Sequence, residues 1–333
     1  MNNIKNSFID SIGNTPLIKL KAASEITGCN IYGKAEFMNP GGSVKDRAAL
    51  ALIKDAQAKK LISKGGIVVE GTAGNTGIGL GLLGNSLGYK TIIVMNDNQT
   101  QEKKDTIKNL GAELRLVPAK PYKDENNFVK IAGRLADELR PTNNNGVVWA
   151  NQFDNTANAK GHYEGTGKEI WEQTNGKVDG FVCSSGTGGT ISGVSNALKE
   201  KNKDIKIYLS DPKGSALYNY IKNGELKSEG GSITEGIGSS RVTANFAEAK
   251  IDDAYSIDDH EGLPILYDLI KNEGLSLGIS CGVNIAGAIR LGKKLGPGKT
   301  IITVLCDKSD KYNSKLFNKF FLEKKNLPIP DWI

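Results

Sequence analysis

The chain has 333 residues, which is too long for one small core and fits one large domain or two closely packed ones. Its net charge of +6 comes from scattered basic residues without a basic, aromatic-rich stripe, which argues against nucleic acid as a partner. Four cysteines without a CxxC pair or zinc-ligand spacing argue against a structural metal and indicate a reduced, cytoplasmic protein.

Two further absences shape the expectations for this chain. No apolar stretch is long enough to span a bilayer, so we expect no membrane partner. The segment from Met1 to Pro16 lacks a charged region followed by an apolar run, and we expect no signal peptide there.

Short apolar runs alternate with helical patterns along most of the chain. The runs that predict buried strands are 67–70, 91–95, 113–117, 147–150, 181–183, 205–210 and 300–305. The helical patterns are 47–61, 77–87, 101–110, 126–139 and 161–174. This alternation predicts an α/β fold with mainly parallel sheets, whose ligand loops lie at the carboxyl ends of the strands.

The predicted strands separate into two sets, one between about residues 44 and 150 and one from about 181 onward. The polar patch 141–146 is a loop and a possible boundary between them. The stretch 210–246 is rich in Gly and Ser and has little periodicity, which is typical of an active-site loop or lid.

The first candidate motif is NPGGSVKDR at residues 39–47, where a Pro-Gly-Gly turn leads into a predicted helix. Lys45 falls in the first turn, where its positive charge opposes the helix dipole. A neutral amine is favoured beside such a dipole, and a neutral amine can form a Schiff base. Taken alone, however, the motif is better explained by a solvated lysine.

The second motif is GTAGNTG at residues 71–77, between a strand end and a helix start. Exposed backbone amides at this position could bind a carboxylate. The motif runs into Gly79-x-Gly81-x-x-Gly84, which matches the dinucleotide-binding fingerprint. These glycines fall inside the predicted helix and not in the turn before it, so we interpret them as sites of close helix packing rather than NAD binding.

The third motif is GTGGT at residues 186–190, between a predicted strand and a predicted helix from Ile191. Its amides and hydroxyls predict a phosphate cradle, which we favour over a flexible turn. The fourth is GISCG at 278–282, before a helical pattern from Val283. Ser280 there could cap the helix, contact a ligand, or do both.

Together and in this order, these segments resemble the cysteine synthase and cystathionine β-synthase family of pyridoxal-phosphate (PLP) enzymes, most closely cysteine synthase (O-acetylserine sulfhydrylase). The resemblance runs from residue 12 to about residue 305 and rests on the joint occurrence of NPGGSVKDR, AGNTG, SSGTGGT, EGIG and GISCG. It implies fold type II, with two three-layer α/β domains like those of tryptophan synthase β. It also implies a smaller, mobile substrate-binding domain at 44–150 and a larger PLP-binding domain formed by 1–43 and 151–333.

The resemblance assigns roles to individual residues. Lys45 resembles the catalytic lysine that holds PLP, Asn75 the partner of its ring hydroxyl, and Ser280 the partner of its pyridine nitrogen. The residues that resemble the phosphate loop are Gly186, Thr187, Gly188, Gly189 and Thr190. Those that resemble the substrate-binding set are Thr72, Ala73, Gly74, Asn75 and Thr76, with Gln152 assisting and Gly236 facing the active site.

The implied reaction is β-replacement, most simply O-acetylserine plus sulfide giving cysteine plus acetate through an aminoacrylate. A hydroxyl at Ser280 cannot protonate the pyridine nitrogen as a carboxylate would, which leaves a weaker electron sink suited to prompt β-elimination. In this mechanism Lys45 is also the general base that removes the α-proton. The family resemblance further implies a homodimer.

Two positions draw separate attention. The family's substrate loop usually reads Thr-Ser-Gly-Asn-Thr, whereas Ala73 here removes one hydroxyl. Arg241, soon after EGIG, could bind a substrate carboxylate or phosphate, or could be structural.

Other functions also stay open at this stage. They are cystathionine β-synthase or another β-replacement or elimination enzyme such as a dehydratase, an NAD-dependent dehydrogenase that uses Gly79 to Gly84, and a binding protein without catalysis.

Overall fold

Two sheets organise the computed structural model, which describes residues 4–333. Residues 1–3, which belong to the segment expected to lack a signal peptide and to the first predicted domain segment, lie outside the described part. The strands are β1 (Leu17–Lys19), β2 (Asn30–Lys34), β3 (Ile67–Gly71), β4 (Lys90–Asn96), β5 (Glu113–Val117), β6 (Val147–Trp149), β7 (Gly180–Cys183), β8 (Lys206–Pro212), β9 (Asp253–Ile257) and β10 (Thr300–Val304).

The helices are α1 (Lys21–Thr27), α2 (Lys45–Ala58), α3 (Asn75–Leu87), α4 (Gln101–Asn109), α5 (Phe128–Leu139), α6 (Ala157–His162), α7 (Lys168–Gln173), α8 (Gly189–Lys201), α9 (Leu217–Asn223), α10 (Ala244–Ala247), α11 (Asp259–Asp268), α12 (Ile279–Leu295), α13 (Asn313–Leu316) and α14 (Lys319–Lys324). A π-helical turn, Tyr163–Gly167, joins α6 to α7. The predicted helix at 161–174 therefore starts earlier, at residue 157.

The six-stranded sheet has the order β1-β2-β10-β7-β8-β9, and only β1 is antiparallel to its neighbour. Its two faces bury different clusters, because side chains alternate along each strand. Ile301 packs with α12 on one face, while the next residue, Ile302, packs with α8 on the other. The sheet is thus the middle of three layers, and the predicted α/β fold class is confirmed.

The four-stranded sheet has the parallel order β5-β4-β3-β6 and is also covered on both faces. Val68 faces α2 and α3, whereas Val69 faces α5. The predicted strand at 113–117 is present, but its predicted burial is wrong. It forms the sheet edge as β5, where Leu116 is 44% exposed.

Parallel pairing brings the ligand loops together at the carboxyl ends of the strands. The loop after β3 leads into α3, and the loop after β7 leads into α8. The predicted irregular stretch 210–246 contains the end of β8, the helix α9 and the start of α10, with irregular backbone between the two helices.

The part of the chain that the structure describes contains neither a membrane-spanning helix nor a metal-binding cluster. None of its helices combines the length and the apolar surface needed to cross a bilayer. Within residues 4–333, no group of three or more His, Cys, Asp or Glu side chains is placed to hold a metal ion.

Candidate active site

A cavity lies between the carboxyl ends of the two sheets, with about 540 Å³ of empty space that extends into open solvent. A second cavity, with about 350 Å³ of empty space counted in the same way, adjoins it and shares Val44, Lys45, Thr187, Ile237 and Cys306 with it. The predicted site residues that line one or both cavities are Lys45, Thr72, Ala73, Gly74, Asn75, Thr76, Gln152, Gly186, Thr187, Gly188, Thr190, Gly236 and Ser280. The motifs separated in sequence therefore surround one continuous space, with Lys45 at the junction.

Lys45 lies in the first turn of α2, as predicted, and the helix begins at this residue, two positions before the predicted pattern 47–61. The turn before it is closed by Asp46, whose Oδ2 accepts a hydrogen bond from the Gly41 amide at 2.5 Å. A Cβ atom at Gly41 would lie 2.4 Å from Asp46 Oδ1, so this turn requires glycine. Among the described residues, none forms an ion pair or hydrogen bond with Lys45 Nζ, which leaves the amine available to a ligand.

A buried ion-pair network anchors the helix that carries Lys45. Arg47 Nε lies 2.7 Å from Glu36 Oε2, and Arg47 Nη1 lies 2.6 Å from Glu169 Oε1. Lys34 Nζ lies 2.6 Å from Glu169 Oε2. Burial opposes ionisation of Glu169, but Arg47 and Lys34 outweigh it and lower the pKa of this carboxyl to about 2. The charges are thus mutually satisfied and fix the start of α2.

The loop after β7 forms a cradle whose outer side is tightly packed. A Cβ atom at Gly186 would lie 2.1 Å from the Gly236 carbonyl oxygen, and one at Gly188 would lie 2.5 Å from the Phe246 nitrogen. Gly188 also has φ +88°, which favours glycine. Ser185, to which the sequence assigned no role, lines the smaller cavity. Its buried Oγ has no partner among the described residues.

The threonine hydroxyls of this loop are held by uncharged side chains. Asn158 Nδ2 donates to Thr187 Oγ1 at 3.0 Å, and Thr190 Oγ1 lies 3.2 Å from His162 Nε2. Burial, with help from the nearby Arg47 and Lys45 cations, lowers the pKa of His162 to about 3, so its ring is neutral. The helix α8 begins at Gly189, two residues before the predicted start, and directs its amino terminus toward the cradle.

The loop 72–76 consists of the three residues between β3 and α3 together with the first two residues of α3, and it lines the larger cavity. The N-cap of α3 is Gly74, whose φ is +137°. Among the described residues, no side chain caps the first amides of α3. Gln152 braces the loop, because it accepts from Thr76 Oγ1 at 2.6 Å and donates to the Gly71 carbonyl at 3.1 Å. Uncapped amides at a helix start are suited to an anion such as a carboxylate.

Asn75 is held by two residues that the sequence did not single out. Its Nδ2 donates to Asp307 Oδ2 at 2.7 Å, and its Oδ1 accepts from Lys311 Nζ at 3.1 Å. Asp307 also accepts from the Tyr312 hydroxyl at 2.7 Å. These contacts fix the orientation of the Asn75 amide at the cavity wall.

Ser280 lies inside the first turn of α12, whose cap is Gly278. The predicted capping role of Ser280 is therefore wrong, since the helix starts four residues before the predicted Val283. The side chain lines the larger cavity instead. Gly236 lines the same cavity, and no atom lies within 4 Å of a Cβ atom placed there, so its open side is unobstructed.

Arg241 has a different partner from the predicted substrate anion. Its Nη1 and Nη2 lie 2.9 and 2.8 Å from the two carboxylate oxygens of Asp154. The guanidinium also lies 4.0 Å from the centre of the Tyr122 ring. Arg241 lines neither of the two cavities described above, and Asp154 engages its Nη1 and Nη2. Its place among the substrate-binding residues stays a prediction, and these contacts favour the structural alternative.

Besides Asp307, two more charged residues in the larger cavity were not predicted. Lys103 on α4 forms an ion pair with Glu235, with Nζ and Oε2 2.6 Å apart, and both side chains are almost fully buried. No local pattern identifies the pair, since 132 positions separate the two residues. Glu235 belongs to the EGIG motif, but Lys103 lies in an ordinary charged helix.

The glycines that match a dinucleotide fingerprint are packing sites, as predicted. They lie within α3. A Cβ atom at Gly79 would lie 3.1 Å from the Ala49 Cβ, and one at Gly84 would lie 2.4 Å from Thr91 Oγ1. Both positions let α3 approach its neighbours closely.

Comparisons with known proteins agree over nearly the whole chain. The family described as pyridoxal-phosphate dependent enzymes matches residues 9–307. A cysteine synthase of Dictyostelium discoideum is 46% identical over 98% of this chain and 88% of the relative. Cysteine synthase 1 of Neurospora crassa is 47% identical over 97% of this chain and 86% of the relative. The crystal structure of a hydrogen sulfide-producing enzyme from Fusobacterium nucleatum has a TM-score of 0.82 and 34% identity, covering 93% of this chain and 100% of that chain.

Proposed function

Because the chain belongs to the pyridoxal-phosphate dependent enzyme family, we propose that it converts O-acetylserine and sulfide into L-cysteine and acetate. One observation carries the proposal: Lys45 stands at the junction of two cavities, between the cradle 185–190 and the loop 72–76. The relatives named cysteine synthase, at 46% and 47% identity, support the choice of substrates.

The residues present fit the cofactor. Within residues 4–333, neither the Lys45 amine nor the Ser185 hydroxyl has a hydrogen-bond partner, and the cradle also offers backbone amides and the amino terminus of α8 to a phosphate. Ser280 and Asn75 stand on the cavity wall, where they would meet the ring. When bound, pyridoxal phosphate supplies an aldehyde that joins an amine and a ring that withdraws electrons from the α-carbon.

The chain's own groups then have distinct tasks. The amides of the loop 72–76 hold the substrate carboxylate, and Gln152 keeps that loop in place. Lys45 Nζ removes the proton from the substrate α-carbon as general base. The Cβ–O bond breaks with release of acetate, a Cβ–S bond forms with sulfide, and the Lys45 ammonium returns its proton to the α-carbon. The cavity lies between the two sheets, which limits the access of water to these steps.

The test is to incubate the purified, PLP-loaded protein with O-acetylserine and sulfide and to quantify cysteine and acetate by mass spectrometry. We expect the two products in equal amounts and no turnover by Lys45→Ala. A parallel reaction with homocysteine distinguishes the nearest alternative: cystathionine formed faster than cysteine would replace this proposal by a cystathionine β-synthase activity.

We also propose a cytoplasmic homodimer in which residues 44–150 move as the smaller domain against residues 1–43 and 151–333. The four cysteines are free, which supports a reducing compartment. The four-stranded sheet falls wholly within 44–150 and the six-stranded sheet wholly outside it, which supports the division. Sedimentation velocity tests the dimer, and a single species at the monomer mass would exclude it.

A further inference from the structure

The ion pair between Lys103 and Glu235 joins the two sheet units inside the cavity. Lys103 lies on α4, between two strands of the four-stranded sheet, whereas Glu235 lies between β8 and β9 of the six-stranded sheet. The exposed fractions of the two side chains are 2% and 5%. A pair of charges buried this deeply is costly to separate, so it favours the arrangement in which the units meet.

On one side of the pair, Lys103 is in direct contact with the loop 72–76. A Cβ atom at Gly74 would lie 2.6 Å from Lys103 Cδ, so the aliphatic stem packs directly against the Gly74 backbone. The Lys103 ammonium lies 4.2 Å from the centre of the Tyr312 ring. The position of Lys103 therefore constrains the position of the loop.

On the other side of the pair, Glu235 is held in place by Lys315, which belongs to the same unit as Glu235. Lys315 Nζ lies 2.7 Å from Glu235 Oε1 and leaves Oε2 for Lys103. The end of the Gln99 amide lies 3.1 Å from Glu235 Oε2 and 3.2 Å from the Ala73 carbonyl oxygen, and it would donate to both in the amide orientation that places its nitrogen there. Glu235 thus reaches the loop by two routes, through Lys103 and through Gln99.

We propose that the Lys103–Glu235 pair is a latch that positions the loop 72–76 over the carboxylate of the bound amino acid. Both are positioning residues, because they act through the loop and not on the reacting atoms. The inference rests on the proposed function, which supplies the amino-acid substrate. Breaking the latch weakens binding of that substrate while Lys45 and its surroundings stay intact.

The kinetic test compares Lys103→Met, Glu235→Gln, the double variant and Lys103→Arg, which keeps the ion pair. Both single substitutions should raise the KM for O-acetylserine at least about five-fold, the scale of coupling between residues in contact. The change in kcat should be smaller, and the KM for sulfide should stay the same. Lys103→Arg should keep the KM for O-acetylserine close to the wild-type value. Lys108→Met is the matched control, because Lys108 is an exposed lysine on the same helix.

The double variant separates a latch from direct contact with substrate. For a latch, the double variant is no worse than Glu235→Gln alone, because Lys103 acts on the loop through its pair with Glu235. It also removes both buried charges, so it tests the idea even if a single variant fails to fold. If Lys103→Met impairs O-acetylserine binding strongly while Glu235→Gln does not, the latch is wrong and Lys103 contacts the substrate itself.

Hydrogen exchange provides a readout that does not depend on turnover. The amides of residues 72–76 should exchange faster in both single variants than in the wild type, with and without L-alanine, which has no leaving group. Unchanged exchange in well-folded variants would overturn the latch. A wild-type protein that fails to turn over O-acetylserine would instead overturn the proposed function. In that case the exchange rates of residues 72–76 would still show whether the Lys103–Glu235 pair positions the loop.

Discussion

At the scale of single residues, Arg241 pairs with a carboxylate of the protein itself, although its side chain is also suited to binding the anionic group of a ligand. Its planar fork matches the Asp154 carboxylate at 2.8 and 2.9 Å, and its face covers Tyr122. Tyr122 belongs to the connection between β5 and α5, so the stack joins this connection to the segment after Gly238. The residue therefore contributes to structure.

Arg241→Ala should change the KM for O-acetylserine and for sulfide less than two-fold. It should lower the free energy of unfolding by about 1–2 kcal/mol, since it removes a partly buried ion pair and a cation–π contact. Steady-state kinetics and urea unfolding measure the two effects, with Arg134→Ala, a surface ion-pair arginine, as the control. A ten-fold rise in KM without loss of stability would return Arg241 to the substrate site.

Glu70 makes the stability of the fold depend on pH. Complete burial raises the pKa of this carboxyl from 4.5 to about 8. Between these two pH values the folded state therefore keeps a proton on Glu70, whereas the unfolded state has lost it. The contribution of Glu70 to stability is therefore full below about pH 4.5 and declines as the pH rises to about 8.

Glu70→Gln removes this titration. The free energy of unfolding of the wild type relative to Glu70→Gln should fall between pH 4.5 and 8, by at most about 1.4 kcal/mol per pH unit. Denaturant unfolding at a series of pH values measures the difference. Parallel stability curves for the two proteins would show that Glu70 is ionised in the folded state.

At the scale of elements, the connection from β3 to α3 depends on the backbone of Gly74. Gly74→Ala should lower the free energy of unfolding by about 1–3 kcal/mol and raise the KM for O-acetylserine, because it strains the backbone and displaces Lys103. Gly111→Ala is the matched control, since it has φ +76° but open space around a Cβ atom. Equal effects of both substitutions on KM would rule out a local role of Gly74.

The sequence predicts elements well where local patterns are strong. The position of Lys45 in the first turn of α2 and the positions of β3, β4 and β7 follow from periodicity and glycine turns. The burial of β5 could not be predicted, because its edge position depends on the strand order of the whole sheet. β9 was missed since its residues, Asp253–Ile257, mix polar and apolar types without alternation.

The site shows the same division. Lys45 and the two glycine loops lie in motifs whose chemistry is local, and the structure brings them together. The Lys103–Glu235 pair and the Asn75–Asp307 contact join residues 132 and 232 positions apart, so no sequence window contains both partners. The contacts of Arg241 likewise depend on Asp154, which lies 87 positions away in the sequence.

At the scale of the whole molecule, two sheets direct their ligand loops toward one space. The four-stranded unit supplies the loop 72–76 and Lys103, and the six-stranded unit supplies the cradle 185–190, Glu235 and Ser280. In the proposed function, an amino acid binds between them, which would couple substrate recognition to the relative position of the units.

The most direct test of the central claim is the visible spectrum of the purified wild type and Lys45→Ala. We expect a yellow wild type whose cofactor band moves to longer wavelength with O-acetylserine and returns with sulfide as one cysteine forms per site. Lys45→Ala should show neither change. A wild type that stays colourless with added PLP, or whose band ignores O-acetylserine, would contradict the account.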